Sequence, residues 1–152
     1  MTVERIFTRS APGSPQTEHP SVRIVAGQGI EGDRYFDKHD EPGQNITFVE
    51  AEEIEAFLGE QGLPIDLAIS GRNVVTRGIR LNDLVGQEFT VGDLHFRGVE
   101  LCEPCLGLGE KLATPTLAPA KVVKCLVRKA GLRADVLSSG ELALGAKFNR
   151  RK

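Results

Sequence analysis

Apolar residues in this chain fall into short runs separated by turns that contain glycine or proline, a pattern typical of proteins built mainly from short strands. Runs that are β-branched, aromatic or alternately apolar and polar predict strands. The predicted strands cover residues 3–8, 22–26, 45–49, 72–76, 87–91, 94–101 and 133–137. Gly92-Asp93 is expected to turn one hairpin. Residues 141–148 are expected to form a last hairpin with residues 133–137 through the turn Ser138-Ser139-Gly140.

Three segments instead space their apolar residues as an α-helix does. The first segment follows residue 50, the second covers residues 106–112 and the third covers residues 120–130. Gly59 or Gly62 is expected to end the first helix, and Gly131 the last. Thr47 and Glu50 have the spacing of a capping box before the first helix. Strands and helices do not alternate as a doubly wound parallel sheet requires. We therefore predict one domain over residues 1–152, mainly β with a few helices.

Composition and charge narrow the classes of protein. The chain of 152 residues is 40% hydrophobic and 26% charged, which is ordinary for a folded protein. Its net charge of −2 and the absence of a long basic block disfavour nucleic acid as a partner. No apolar run approaches the roughly 20 residues that cross a bilayer. We therefore expect a cytoplasmic protein that binds neither membranes nor nucleic acid.

The segment with the most potentially reactive side chains is Cys102-Glu103-Pro104-Cys105, directly after a predicted strand. A structural zinc site needs four ligands, and neither Cys125 nor the three histidines supply a second pair at ligand spacing. A redox dithiol is a second interpretation, although the strands before Cys102 do not form the βαβ unit of the thioredoxin class. The third interpretation is a single thiolate that binds a soft metal or carries sulfur.

The third interpretation requires a cation near the sulfur. With a thiol pKa of about 8.5, only about 3% of a cysteine is ionised at pH 7. Backbone amides after Cys105, a metal ion, or an arginine from the loop Gly32-Asp33-Arg34 could each favour the thiolate. Cys102 is better explained as a small buried residue at a strand end. Cys125, at the edge of the apolar stripe of the last helix, is expected to be a packing or half-exposed residue.

Six motifs, taken in order, resemble one family. The chain contains Gly32-Asp33-Arg34, Asn45-Ile46-Thr47, Arg72-Asn73-Val74-Val75-Thr76-Arg77-Gly78, Gly86-x-x-Phe89-x-Val91-Gly92, Pro104-Cys105 and Gly131-Leu132-Arg133-Ala134-x-Val136-Leu137-x-x-Gly140. This order is similar to that of the MOSC domain, the C-terminal domain of molybdenum-cofactor sulfurases, which also exists as small stand-alone proteins. The resemblance extends over residues 22–148.

The resemblance implies a β-barrel fold like that of the barrel domain of pyruvate kinase. It also implies a molybdenum cofactor, a pterin-bound metal with a phosphate. Cys105 would be the metal ligand or a sulfur carrier. Cys102, three residues earlier, is not a general feature of the family and is a second catalytic candidate because of its spacing from Cys105. Arg72 and Asn73 would hold the cofactor, together with the loop residues Arg34 and Asp33.

The activity implied is that of a molybdenum-dependent oxidoreductase acting on a small N-oxygenated substrate, or of a sulfurtransferase. The partners implied are a small-molecule substrate and either a sulfur donor such as a cysteine desulfurase or an electron-transfer protein. Two alternatives stay open: a metal-free persulfide carrier, and a thiol–disulfide switch in which Cys102 and Cys105 pair and inactivate Cys105. Pyridoxal phosphate is not expected, because no lysine lies in a recognisable Schiff-base context.

Overall fold

The computed structural model describes residues 1–38, 40–104 and 106–150. Its strands are β1 (Thr2–Thr8), β2 (Thr17–His19), β3 (Ser21–Val25), β4 (Gly29–Ile30), β5 (Ile46–Glu50), β6 (Val74–Arg77), β7 (Glu88–Val91), β8 (Leu94–Leu101), β9 (Leu132–Val136), β10 (Gly140–Ala143) and β11 (Phe148–Arg150). Its helices are α1 (Ala51–Glu60), α2 (Leu106–Leu112) and α3 (Pro119–Leu126), with a 3-10 turn at Leu81–Leu84. Within this described part of the chain, no helix has the length and apolar character needed to cross a membrane.

The larger sheet has eight strands in the order β11-β7-β8-β9-β5-β6-β1-β2, and a smaller sheet has the order β10-β3-β4. Only the pair β5 and β6, which α1 connects, is parallel among the paired strands. The large sheet curls, because the N–H of Val3 donates to the carbonyl of Ala146 and that of Phe148 to Met1, both at 2.9 Å. These bonds bring the β11 end of the sheet back to β1. The predicted mainly β, barrel-like fold is confirmed.

Both faces of the large sheet are covered. Four phenylalanines fill the inside of the curl, with ring centroids 5.5 to 6.0 Å apart: Phe48, Phe89, Phe96 and Phe148. On the outer face, Phe7, Val49 and Val75 pack with the apolar side chains of the three helices. Neighbouring residues of β5 point to opposite faces, so this central strand is buried on both sides.

Helix α1 forms where the sequence predicts it, but its start differs. The N-cap is Glu50, which makes no side-chain capping hydrogen bond. Thr47 lies inside β5, and its hydroxyl bonds to Asn73 instead. The predicted capping box is therefore wrong, because the sheet continues up to the first helical residue. At the other end Gly62, with φ of 67°, donates its N–H to the carbonyl of Gly59 and ends the helix as expected.

Two predictions in the C-terminal third are also wrong. Helix α3 ends at Leu126 rather than near residue 130, because Val127 takes an extended conformation and Arg128 has φ of 64°. Residues 133–148 do not form a hairpin, since β10 pairs with β3 of the small sheet and not with β9. The Ser138-Ser139 segment is a crossover between sheets. In the same region Cys125, predicted to be a packing or half-exposed residue, is exposed.

Glu50, at the junction of β5 and α1, is a buried carboxylate with few partners. Its side chain is 8% exposed; one oxygen accepts the N–H of Leu81 at 3.3 Å, and the other lies 3.9 Å from the Arg80 guanidinium. Burial raises the pKa of Glu50, partly offset by Leu81 and Arg80 and reinforced by Glu53 and Glu52. The folded protein therefore binds this proton more tightly than the unfolded chain does.

We predict that Glu50→Gln makes the free energy of unfolding less dependent on pH. The stabilising effect of the tightly held proton is present below the unfolded pKa and is lost as pH rises through the raised folded pKa. The free energy of unfolding of the variant should match that of the wild type near pH 4 and exceed it at pH 7. The excess should be roughly 1.4 kcal/mol for each unit by which the folded pKa of Glu50 exceeds its unfolded pKa. Urea unfolding at both pH values measures this. Glu60→Gln, at an exposed position of the same helix, is the control. Parallel profiles for the wild type and Glu50→Gln would contradict the prediction.

Candidate functional site

A cavity of about 440 Å³ lies beside the end of β1, the start of β6 and the end of β8. The loop between β4 and β5 forms another wall. The cavity gathers charged residues that are far apart in the sequence. Its wall includes four arginines, four carboxylates and one thiol, namely Arg9, Arg34, Arg72, Arg133, Asp33, Glu41, Glu100, Glu103 and Cys102. All the candidate residues from the sequence that the structure describes therefore line one space.

Asn73 occupies the centre of the cavity floor, one residue before β6. Its side-chain oxygen accepts the N–H and the hydroxyl of Thr47, both at 3.1 Å. Its side-chain nitrogen donates to the carbonyl of Phe7 at 3.1 Å and to the Asp33 carboxylate at 3.4 Å. The amide has thereby used its two donors and both acceptor positions within the protein. Asn73 ties β1, β5 and β6 together beneath the cavity.

Asp33 fixes the loop that carries Arg34. Its carboxylate, 8% exposed as a residue, accepts the N–H of Arg9 at 3.1 Å and that of Tyr35 at 3.2 Å, besides the Asn73 amide. The loop is also held by the N–H of Arg34, which donates to the carbonyl of Arg9 at 2.8 Å. The Asp33 carboxylate therefore accepts its hydrogen bonds from N–H groups of the backbone and of an amide, and within the described part of the chain it does not form an ion pair with an arginine.

Arg72 and Arg34 approach the cavity from different walls. Arg72 donates from Nε to the carbonyl of Ala130 at 2.9 Å, which orients its guanidinium. The guanidinium of Arg34 lies 4.7 Å from the ring centre of Tyr35, a cation–π contact. Among the described residues, neither arginine has a carboxylate within ion-pair distance. The terminal nitrogens of Arg72 therefore have hydrogen-bond capacity for an anion.

Arg133 and Arg9 line the same cavity, and no sequence motif marked them as site residues. Arg133 binds Glu100 at 2.7 Å and Glu41 at 3.0 Å, so its charge is balanced by protein carboxylates. Arg9 donates to the carbonyl of Ser14 at 2.7 Å. Arg133 lies within the motif of residues 131–140 that resembles the family, which is its only sequence signal, although that motif does not single it out as a site residue. Arg9 follows a strand without any local signal.

Cys102 lies at the end of β8 and is 4% exposed. Its N–H donates to the carbonyl of Gly131 at 2.8 Å. Burial raises the pKa of the Cys102 thiol, and the charges of Arg72 and Arg133 offset this only in part. Cys102 is therefore a protonated thiol at neutral pH. Cys105, the leading candidate from the sequence, lies outside the described residues, between Pro104 and the start of α2.

The described residues contain no group of three or more His, Cys, Asp or Glu side chains placed to hold a metal ion. A zinc site made of these side chains is therefore not present in that part of the chain. Any metal held here would need most of its ligands from a bound organic group, with the protein adding few. The free guanidinium groups are suited to an anionic part of such a group, because Arg forms bidentate bonds to phosphate and carboxylate.

The fold and site define a class: a curled, mainly β domain with an arginine-lined cavity at the end of β8, where Cys102 lies. The chain belongs to the MOSC domain family, whose family model matches residues 36–149. This confirms the resemblance stated from the motifs. No curated protein sequence matches the chain.

Solved structures show the same fold at low sequence identity. The YUAD protein from Bacillus subtilis is 19% identical with a TM-score of 0.80, covering 97% of this chain and 94% of that one. YiiM from Escherichia coli is 16% identical with a TM-score of 0.68, covering 100% and 70%. YiiM from Geobacillus stearothermophilus is 22% identical with a TM-score of 0.67, covering 90% and 64%. At these identities the likeness establishes the fold.

We predict that Asn73→Ala lowers the free energy of unfolding by about 2 to 4 kcal/mol. The substitution leaves the Phe7 carbonyl and the Thr47 N–H buried without their partner, and an unsatisfied buried group costs about 1 to 3 kcal/mol. Urea unfolding measures the loss. Asn149→Ala, at an exposed position of β11, is the matched control and should stay within about 0.5 kcal/mol. Equal effects of the two substitutions would show that the Asn73 network does not support the fold.

Proposed function

We propose that this protein binds a molybdenum cofactor in the cavity and acts as an oxidoreductase on a small N-oxygenated compound. The observation that carries the proposal is the pair of guanidinium groups, Arg34 and Arg72, that face one cavity without a carboxylate partner among the described residues. Membership of the MOSC family supports the choice of cofactor. The residues present fit an anionic, phosphate-bearing group of this kind.

In this proposal each residue has a separate task. Arg72 and Arg34 bind the phosphate of the cofactor, because guanidinium forks match phosphate oxygens. Asp33 and Asn73 are positioning residues that hold those arginines through the network under the cavity. Cys105 supplies a sulfur ligand to the metal, as the family resemblance implies. The protein thereby binds and orients the cofactor.

When bound, the cofactor supplies two-electron redox chemistry at its metal. Reduction of an N-hydroxylated substrate takes up two electrons and two protons, breaks the N–O bond and releases water. The cavity is open to solvent on the side of the exposed residues Glu100 and Glu103, which leaves room for a small substrate and for proton exchange. The electrons must come from a separate donor.

The burial of the Cys102 thiol indicates that the two cysteines have different roles. The raised pKa of Cys102 keeps this sulfur protonated at neutral pH, and a protonated thiol is a poor metal ligand and nucleophile. Cys105 is therefore the sulfur to which we assign metal binding, and Cys102 is its neutral neighbour in the sequence. One other candidate function is persulfide carriage by Cys105, favoured by the second thiol in the cavity wall. Once it has lost its proton, Cys102 could attack the Cys105 sulfur of the persulfide, forming a Cys102–Cys105 disulfide and releasing hydrosulfide.

We predict that protein made in a cofactor-competent host contains molybdenum and pterin. Cys105→Ser should lose most of the molybdenum, and Arg72→Gln should weaken cofactor retention roughly tenfold or more, because hydrogen bonds between charged groups contribute about 1.5 to 3 kcal/mol. Metal analysis and fluorescence of the oxidised pterin are the measurements. Cys125→Ser, an exposed position on α3, is the matched control and should retain both. A wild type that lacks molybdenum and pterin while Cys105 is intact would overturn the proposal.

The carrier function makes a different prediction on cofactor-free protein. Incubation with a cysteine desulfurase and cysteine should load cyanide-labile sulfur on the wild type and on Cys125→Ser, and not on Cys105→Ser. Loading without any molybdenum or pterin in the native protein would favour the carrier. If Cys105→Ser is labelled as strongly as the wild type, the carrier function is wrong.

A further inference from the structure

Positive charge is concentrated in two segments of this acidic chain, residues 106–131 and the C-terminal residues 147–152, which carry four basic and no acidic side chains. The first of these segments contains α2 and α3. Residues 106–131 contain five basic side chains and one acidic side chain, Glu110. The other 126 residues contain the remaining 14 basic and 20 acidic side chains. The segment of α2 and α3 therefore has a net charge of +4, whereas the rest of the chain has −6. We call its five basic residues the basic surface: Lys111, Lys121, Lys124, Arg128 and Lys129.

The basic surface is exposed and unpaired. All five side chains are exposed, and within the described residues none has a carboxylate at ion-pair distance. Arg77 and Arg133, by contrast, each bind two carboxylates. Lys121 and Lys124 are three residues apart on α3 and share one helix face. The charge of this surface is therefore available to a partner outside the chain.

Arg128 adds backbone strain to the same surface. Its φ of 64° is a left-handed conformation that glycine adopts at no steric cost. A side chain in this region costs about 1 kcal/mol or more. The carbonyl of Arg128 is held by the side-chain amide of Asn82 at 2.9 Å. The exposed Arg128, next to exposed Val127, thus occupies a position where glycine would adopt the same backbone conformation with less strain.

The basic surface adjoins the candidate site. Two residues after Arg128, the carbonyl of Ala130 accepts the Nε of Arg72. The next carbonyl, that of Gly131, accepts the N–H of Cys102. Helix α2, which packs on α3, begins at the residue after Cys105. A protein bound to this surface would therefore lie beside the cavity and the cysteine segment.

We propose that the basic surface is the docking site for an acidic electron-transfer protein. The positive charge of this surface is complementary to a negatively charged partner. The surface has few exposed apolar residues, which suits the small, transient interfaces typical of complexes between electron-transfer proteins. This step rests on the function proposed above, since that function needs an external electron donor. The basic surface would orient the partner and increase the rate at which the two proteins associate. The reaction with the substrate would take place in the cavity.

The test measures binding on cofactor-free full-length protein, so it does not depend on whether the cofactor is found. The probes are two acidic electron-transfer proteins, a flavodoxin and a plant-type ferredoxin. The wild type should bind at least one of them with an affinity that falls as salt is added. Lys121→Glu/Lys124→Glu should weaken this binding roughly tenfold or more. Arg23→Glu/Lys147→Glu, which changes the charge equally at exposed positions outside the surface, should stay within about twofold.

Three results would overturn the proposal: no binding of either probe to the wild type, equal losses in the two double variants, or preferential binding to another anionic surface. The last is measured with vesicles containing phosphatidylglycerol and with duplex DNA. If either binds the wild type more tightly than the proteins do and loses that binding in Lys121→Glu/Lys124→Glu, the surface serves a membrane or nucleic acid. Molybdenum and pterin contents of the same variants should equal those of the wild type, which separates failure of docking from failure of the proposed function.

Discussion

The architecture of the site depends on the side-chain amide of Asn73. A buried amide must have its donors and acceptors paired, and Asn73 achieves this by joining β1, β5 and the loop of Asp33 at the point where β6 begins. Arg72 is its neighbour in sequence, and Arg34 follows Asp33. The same network therefore supports two strands of the sheet and determines where both guanidinium groups enter the cavity.

Two arginines of the cavity, Arg34 and Arg72, have no carboxylate partner among the described residues, because three of the four carboxylates in the wall bind other groups. Asp33 accepts N–H groups of the backbone and the Asn73 amide, and Glu41 and Glu100 both bind Arg133. These three carboxylates are thus engaged without neutralising Arg34 or Arg72. A guanidinium that is oriented but unpaired binds an anion at lower cost than one that must first break an ion pair. This division of charge leaves two guanidinium groups without a carboxylate partner among the described residues, in a protein whose net charge is negative.

Local sequence patterns predicted most of the elements, and tertiary contacts decided the rest. The alternation around Gly92 correctly gave the hairpin of β7 and β8, and the spacing of apolar residues gave α1 and α2. The capping box and the last hairpin were wrong because strand pairing overrode local preferences. Asp33, Arg34, Arg72, Asn73 and Cys102 were named from motifs, and they do meet at one cavity. Arg9 was missed, because its place there follows from the pairing of β1 with β6, which has no signature in the sequence near Arg9.

One short segment links the cavity to the surface of α3. The carbonyls of Ala130 and Gly131 accept hydrogen bonds from Arg72 and Cys102, and the strained Arg128 lies two residues before Ala130. Gly131 itself has φ of 117°, and a Cβ atom there would clash with the carbonyl oxygen of Phe48. The segment is therefore closely packed against the sheet, and it cannot shift without moving the bonds to Arg72 and Cys102. A partner that binds around Arg128 thus contacts the structure that orients the cavity residues, and this connection requires no conformational change elsewhere in the fold.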